Sequence, residues 1–130
     1  MGRIRRNIKV NGKQYWTLFD SGSRNTYVTH AVTEGLPVFK FKINEPVKLG
    51  GQVHNVTEYC RMEAFIDEYP VRVQARVLDN IGSDEEGKQI EILFGALAMQ
   101  EWGIKLDVPH ETLDMTHFSK EFIEFKNIIL

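Results

Sequence analysis

Residues 16–28 have the sequence WTLFDSGSRNTYV. Aromatic and β-branched residues favour β-strands, whereas serine and glycine favour turns. The stretch therefore predicts a strand that ends at Asp20, a tight Ser-Gly-Ser turn, and a second strand that begins at Thr26. It places a carboxylic acid at the point where an apolar strand enters a loop.

The flanking sequence predicts further strands. Asn11-Gly12 separates two runs of apolar, β-branched or aromatic residues, and this pattern favours a β-hairpin because both turn residues must take positive φ. Strict alternation of apolar and polar residues over 71–78 predicts a half-buried strand. On that strand Arg72 and Arg76 point to the same side, and we interpret both as solvated.

The second half of the chain holds the best helical segment. The pattern predicts a polar surface loop, a buried strand, a short helix and a further strand, in this order: 79–89, 90–94, 96–102 and 104–107. A second strand is possible around Leu113, and an apolar-periodic tail runs from Phe118 to Leu130. The sequence therefore predicts an all-β protein with one short helix.

Composition limits the class of protein. The chain has 130 residues, 42% of them hydrophobic and 26% charged, which is the balance of one soluble globular domain. A net charge of −2 excludes a strongly basic nucleic-acid surface, and no apolar run is long enough to span a membrane. The single cysteine, Cys60, excludes an internal disulfide framework and favours a reducing compartment, so we expect a cytoplasmic protein.

The stretch around Asp20 resembles the active-site loop of the aspartic proteases, whose signature is D-[ST]-G-[SA] at the end of an apolar strand. The wider pattern D-[ST]-G-S-x-N-x-x-V of pepsin-like lobes is matched by Asp20, Ser21, Gly22, Ser23, Asn25 and Val28. A second element, ILFGALAM at residues 92–99, is similar to the glycine motif that packs beneath that loop, with Phe94 and Gly95 at its centre. For a single lobe of this length, the resemblance indicates the retropepsin-like branch.

This resemblance implies a closed β-barrel lobe with one short helix, active as a C2 homodimer. It covers most of the chain, so we expect a single domain over 1–130 with a core over about 4–107 and a C-terminal extension over 108–130. Hydrolysis by this route needs two carboxyl groups that flank one water and share one proton. The chain has only one D-[ST]-G sequence, so a two-fold axis must supply the second Asp20.

The resemblance also assigns roles around the catalytic Asp20. Gly22 permits the tight turn, the Ser21 hydroxyl bonds to the partner loop across the dimer, and the Ser23 hydroxyl donates toward the outer carboxylate oxygen. A β-hairpin flap covers the substrate in these enzymes, and its predicted tip is Gly50, Gly51 and Gln52. The two glycines are equally compatible with a plain turn.

The sequence departs from the retroviral pattern at several places. Ala96 stands where the retroviral enzymes tend to carry an arginine that braces the dimer. Arg24 either replaces that brace or is simply solvated. The loop over 79–89 has the character of an insertion, and the 108–130 tail either adds a strand to the dimer or leads into a larger protein.

The predicted function is that of an aspartic endopeptidase, a homodimer that hydrolyses peptide bonds in a protein or peptide substrate without a cofactor or metal. The main alternative is a catalytically silent retropepsin fold that binds peptides or dimerises. A third is an unrelated small β-barrel in which residues 20–23 form an ordinary turn. Cys60 is interpreted as an inert thiol. The histidines lack metal-ligand spacing: His30, His54, His110 and His117.

Overall fold

A computed structural model describes residues 2–118 of the chain. The described part is mostly β-structure. It contains nine strands and two α-helices: β1 Arg3–Val10, β2 Lys13–Asp20, β3 Tyr27–Thr29, α1 His30–Thr33, β4 Val38–Leu49, β5 Gln52–Ile66, β6 Tyr69–Leu78, β7 Ile92–Phe94, α2 Ala96–Trp102, β8 Lys105–Asp107 and β9 Thr112–Asp114. The mostly-β architecture agrees with the predicted all-β class, and α2 lies where the sequence predicts the one short helix; α1 is a single turn of four residues. The predicted apolar tail lies outside the described residues beyond Phe118.

Seven strands form one sheet in the order β1-β2-β7-β3-β6-β5-β4, and β1 also pairs with β5. The β1–β2 hairpin turns at Asn11 and Gly12, whose φ values of 52° and 82° are those that the Asn-Gly sequence predicts. β7 lies between β2 and β3, parallel to the former and antiparallel to the latter. The two strands that flank the Asp20 loop are therefore separated by a strand from far along the chain.

The buried apolar side chains form two clusters, and neighbouring residues of one strand, such as Leu18 and Phe19, alternate between them. In the larger cluster Phe19 and Phe94 are fully buried, with ring centroids 4.9 Å apart. Trp102 of α2 packs on the same cluster. The phenyl pair fixes β2 and β7 to each other directly beside the end of β2, and this contact positions the site.

Two sequence predictions differ in detail from the structure. Alternation of apolar and charged residues over 38–43 and the run over 47–49 each indicate strand, and in the structure both belong to one strand, β4, whose pairing with β5 shifts register between Lys40 and Glu45. Arg76 is not solvated as predicted: its Nε donates to Glu45 Oε1 over 2.8 Å, and its guanidinium lies 6.0 Å from the centroid of the Phe41 ring. Both differences depend on contacts with other strands, of β4 with β5 and of β6 with β4, that alternation along one strand does not contain.

Candidate active site

Asp20 is the last residue of β2 and is 8% exposed. β2 pairs with β1 along one edge and with β7 along the other, where its neighbour Phe19 lies opposite Phe94, so the strand that delivers the carboxylate is held on both edges. The Gly22 N–H donates to Asp20 Oδ1 over 2.8 Å. A buried acid with one oxygen fixed by a backbone amide has a defined orientation.

Ser23 stabilises the turn after Asp20 through two hydrogen bonds. The Ser23 N–H donates to the Asp20 carbonyl over 3.2 Å, and the Ser23 hydroxyl donates to the Asn25 carbonyl over 3.0 Å. A hydroxyl has a single proton to donate, so in this arrangement Ser23 does not donate to the Asp20 carboxylate as the sequence analysis expects. Its contact stabilises the loop instead.

Gly95 lies directly beneath the loop. Its N–H donates to the buried Thr26 Oγ1 over 3.0 Å, and the next amide, that of Ala96, donates to the Ser23 carbonyl over 2.6 Å. A Cβ atom built on Gly95 would lie 2.2 Å from the Asn25 carbonyl oxygen. Real Cβ atoms do not approach backbone this closely, so the position requires glycine for steric reasons. The second glycine motif and the Asp20 loop are thus brought together, as the sequence predicts.

Ser21 contacts the N-terminal segment of its own chain. The Gly2 N–H donates to Ser21 Oγ over 2.8 Å, and the Ser21 N–H donates to the Gly2 carbonyl over 3.1 Å. The Ser21 hydroxyl also donates to the Gly2 carbonyl over 3.3 Å. One lone pair of the hydroxyl is left to accept a bond from another chain, and the cross-dimer role of Ser21 stays a prediction.

Arg3 is a residue near the site that the sequence analysis does not identify. Its Nε lies 3.4 Å from Asp20 Oδ2, and its side chain is 61% exposed. The sequence contains the information needed to place it, because a two-residue hairpin turn at Asn11-Gly12 sets Arg3 opposite Asp20 in the register. The described site therefore contains a cation on the carboxylate oxygen that Gly22 does not hold.

The departures from the retroviral pattern lie near the same loop. Ala96 and Ser21 line one shallow groove together with Gly2. Arg24 is exposed, and its carbonyl accepts the Leu97 N–H over 3.1 Å. The guanidinium of Arg24 forms no ion pair with another residue in the range 2–118.

The predicted flap corresponds to the β4–β5 hairpin. Gly50 and Gly51 form its tip with φ values of 56° and 80°, and the flanking pair is Leu49 and Gln52. Nothing lies within 4 Å of a Cβ built on either glycine, so the tip is open. Lower in the hairpin, Val56 packs in the smaller cluster with Leu18 of β2, which connects the hairpin to the strand that carries Asp20. Whether the hairpin covers a substrate stays a prediction.

The remaining candidate groups lie away from this site. Among residues 2–118 no group of three His, Cys, Asp or Glu side chains is arranged to hold a metal ion. Cys60 is fully buried in the larger cluster, and burial raises the pKa of its thiol to about 11, which keeps it protonated and unreactive. In the described range, no helix has the length and apolar character needed to cross a membrane.

The fold has known relatives among solved structures. The retroviral protease-like domain of Ddi1 from Leishmania major matches with a TM-score of 0.64 at 10% identity, over 92% of this chain and 90% of that one. EIAV protease, solved in complex with the inhibitor HBY-793, matches with a TM-score of 0.52 at 18% identity, over 81% of this chain and 92% of that one. No protein-family model and no curated protein sequence matches. The chain therefore has a retropepsin-like fold.

Proposed function

Starting from the retropepsin-like fold, we propose that this protein is an aspartic endopeptidase that acts as a C2 homodimer. The observation that carries the proposal is Asp20, a buried carboxylate at the end of an apolar strand with Oδ1 fixed by the Gly22 amide. It stands in a D-S-G-S loop that Gly95 supports from below. The wider picture of a closed barrel, in which the β1–β5 pairing joins the sheet to itself, belongs to this proposal.

The chemistry requires two such loops. One Asp20 carboxylate, ionised, removes a proton from a water that attacks the scissile carbonyl. The other, protonated, donates a hydrogen bond to the carbonyl oxygen and stabilises the charge that develops there. Because this chain has one D-[ST]-G sequence, a second copy related by a two-fold axis provides the partner acid. One shared proton between the two carboxyl groups favours activity at acid to near-neutral pH.

The substrate is proposed to be an extended peptide. The open β4–β5 hairpin, with glycines at its tip, has the form of a flap that closes over such a chain and forms main-chain hydrogen bonds with it. No cofactor or metal takes part in this mechanism. We expect the protein to act in the cytoplasm, in keeping with its single buried thiol.

A catalytically silent retropepsin fold is the second candidate, and one observation favours it. Arg3 contacts the free oxygen of Asp20, and Gly2 engages both the amide and the hydroxyl of Ser21. The active arrangement requires Asp20 to face a second carboxyl group, so the Arg3 contact must rearrange when two chains meet. A protein in which it persists would bind peptides without hydrolysing them.

Peptide cleavage and oligomeric state together test the proposal. We expect wild type to cleave members of a mixed peptide library between pH 4 and pH 7, and Asp20→Asn to lose a factor of about 10²–10⁴ in kcat/KM, the usual contribution of general acid–base catalysis. The matched control is Asp79→Asn, which makes the same chemical change at a carboxylate that is 95% exposed, and it should keep full activity. Sedimentation should show a dimer for all three proteins. Full activity of Asp20→Asn would refute the mechanism, and a dimer that binds peptides without cleaving them would support the silent alternative.

A further inference from the structure

A polar groove of about 610 Å³ lies beside the active-site loop. It is lined by the segment 24–26, which follows the D-S-G-S loop directly, and by the β6 strand around Gln74 and Arg76, whose amide donates to the Thr26 carbonyl over 2.9 Å. Glu45 of the β4–β5 hairpin and residues of α2 complete the lining. The groove thus extends from the residues that follow the Asp20 loop to β4 of the hairpin proposed as the flap, and we expect a peptide bound at Asp20 to reach it.

The charges of the groove are not equally available. Arg76 is occupied, because its Nε donates to Glu45 Oε1 over 2.8 Å and its side chain is only 18% exposed. These two residues neutralise each other within the wall. The charges that remain are Arg24 and Glu101. Glu101 lies four residues after Leu97 on α2, about 6 Å further along the helix axis from the active-site loop.

Arg24 is the free charge next to the reacting carboxylate. Its main chain is fixed, since its carbonyl accepts the Leu97 amide and the following carbonyl, that of Asn25, accepts the Ser23 hydroxyl. Its guanidinium is exposed and has no ion-pair partner within residues 2–118. A fixed backbone that presents an unpaired guanidinium to a groove is suited to bind a carboxylate, often through two hydrogen bonds.

We propose that this groove is a substrate subsite that selects an acidic side chain, with Arg24 as its specificity-determining residue. The inference rests on the proposed function and names the class of peptide that the site takes. Glu101 sets the position of the acid, because like charges repel and the acidic side chain must bind at the Arg24 end of the groove. In this proposal Arg24 binds substrate and does not replace the arginine that braces the dimer in the retroviral enzymes.

The test uses extended peptides from a library in which one position at a time is fixed as Glu, Gln or Lys. Cleavage is measured with wild type, and binding is measured by fluorescence anisotropy with Asp20→Asn, which needs no catalysis. At one position wild type should prefer Glu over Gln by about fivefold, the upper range for a partly exposed ion pair. Arg24→Gln should remove this preference, and Arg24→Glu should prefer Lys. Raising the salt concentration should weaken the preference for Glu.

The matched control is Lys13→Glu, which makes the same change in net charge beside the β1–β2 turn and should keep the wild-type ranking. If Arg24→Glu ranks Glu, Gln and Lys as wild type does, the subsite proposal is wrong whether or not the protein cleaves. If Asp20→Asn binds acidic peptides through Arg24 but wild type cleaves nothing, the subsite stands and the protease proposal fails. If neither cleavage nor binding occurs with any peptide, both proposals fail.

Discussion

Replacing Gly95 with alanine tests how the glycine motif supports the active-site loop. The new Cβ would meet three backbone atoms, at 2.2 Å and 2.6 Å from the oxygen and carbon of the Asn25 carbonyl and at 2.9 Å from the Arg24 oxygen. These backbone atoms cannot avoid the new Cβ by changing rotamer, as the end of a flexible side chain can. The Gly95 φ of −92° is open to alanine, so the penalty is purely steric.

The size of the effect follows from the displacement required. Restoring ordinary contact moves the loop by about 1 Å, since carbon and oxygen rarely approach within about 3.4 Å. Overpacking of this kind costs about 1–3 kcal/mol. The same movement weakens the bonds from Gly95 to Thr26 and from Ala96 to Ser23, at about 1 kcal/mol in all. We expect a loss of about 3 kcal/mol, which for a chain of this length lowers Tm by about 10 °C.

Thermal unfolding followed by circular dichroism, at one fixed protein concentration, measures the loss. The control is Gly50→Ala, where nothing lies within 4 Å of the new Cβ and only the positive φ of 56° is penalised, at about 1 kcal/mol. Gly95→Ala should be the more destabilised of the two and should also lose activity, since its loop is displaced. A Tm for Gly95→Ala equal to or above that of Gly50→Ala would refute the steric argument.

Two further predictions concern titration and the 79–89 loop. Because the pKa of the buried Cys60 thiol rises from 9.0 to about 11, the folded state keeps a proton that the unfolded chain loses, so the free energy of unfolding should fall as pH rises from about 9 to 11. Chemical denaturation across this range should show that the free energy of unfolding of Cys60→Ala depends less steeply on pH than that of wild type. An equally steep dependence would contradict the raised pKa of Cys60. Hydrogen bonds from the Lys88 amide and the Trp16 indole lower the pKa of Asp84, so acid should release the loop only below the usual carboxyl range. The tryptophan fluorescence of wild type should shift only when Asp84 is protonated. Asp84→Ala should show the shifted spectrum already at neutral pH, and spectra that are equal for the two proteins at neutral pH would contradict the Trp16–Asp84 hydrogen bond.

Local sequence predicts the parts of the site that depend on short segments. Asp20 and the turn after it, and the Asn11-Gly12 hairpin, follow from residue preferences within a few positions. Gly95 is predicted by resemblance to the glycine motif, and the structure supplies the physical reason, because the Asn25 backbone lies too close for a Cβ atom. The catalytic role of Asp20 and the dimer remain proposals.

What the sequence does not show depends on contacts between distant segments. The approach of Arg3 to Asp20 comes from the register of β1 with β2, which composition alone does not show. The pairing of Arg76 with Glu45 joins β6 to β4 across the intervening strand β5. Glu45 follows the point where β4 shifts register against β5, and nothing in either strand indicates where that shift occurs. Arg24 can be identified as the unpaired cation of the groove only because the structure shows Arg76 paired with Glu45.

The position of β7 between β2 and β3 has a consequence for biosynthesis. The two halves of the Asp20 loop are separated by only a few residues, yet the bond that joins Thr26 to Gly95 spans 69 positions. Contacts of such long range form late and slowly, because the loop-closure entropy must be lost before they are gained. On the ribosome, the Asp20 segment emerges long before the strand that supports it. The Asp20 loop of a nascent chain therefore lacks this support until Gly95 has left the ribosome.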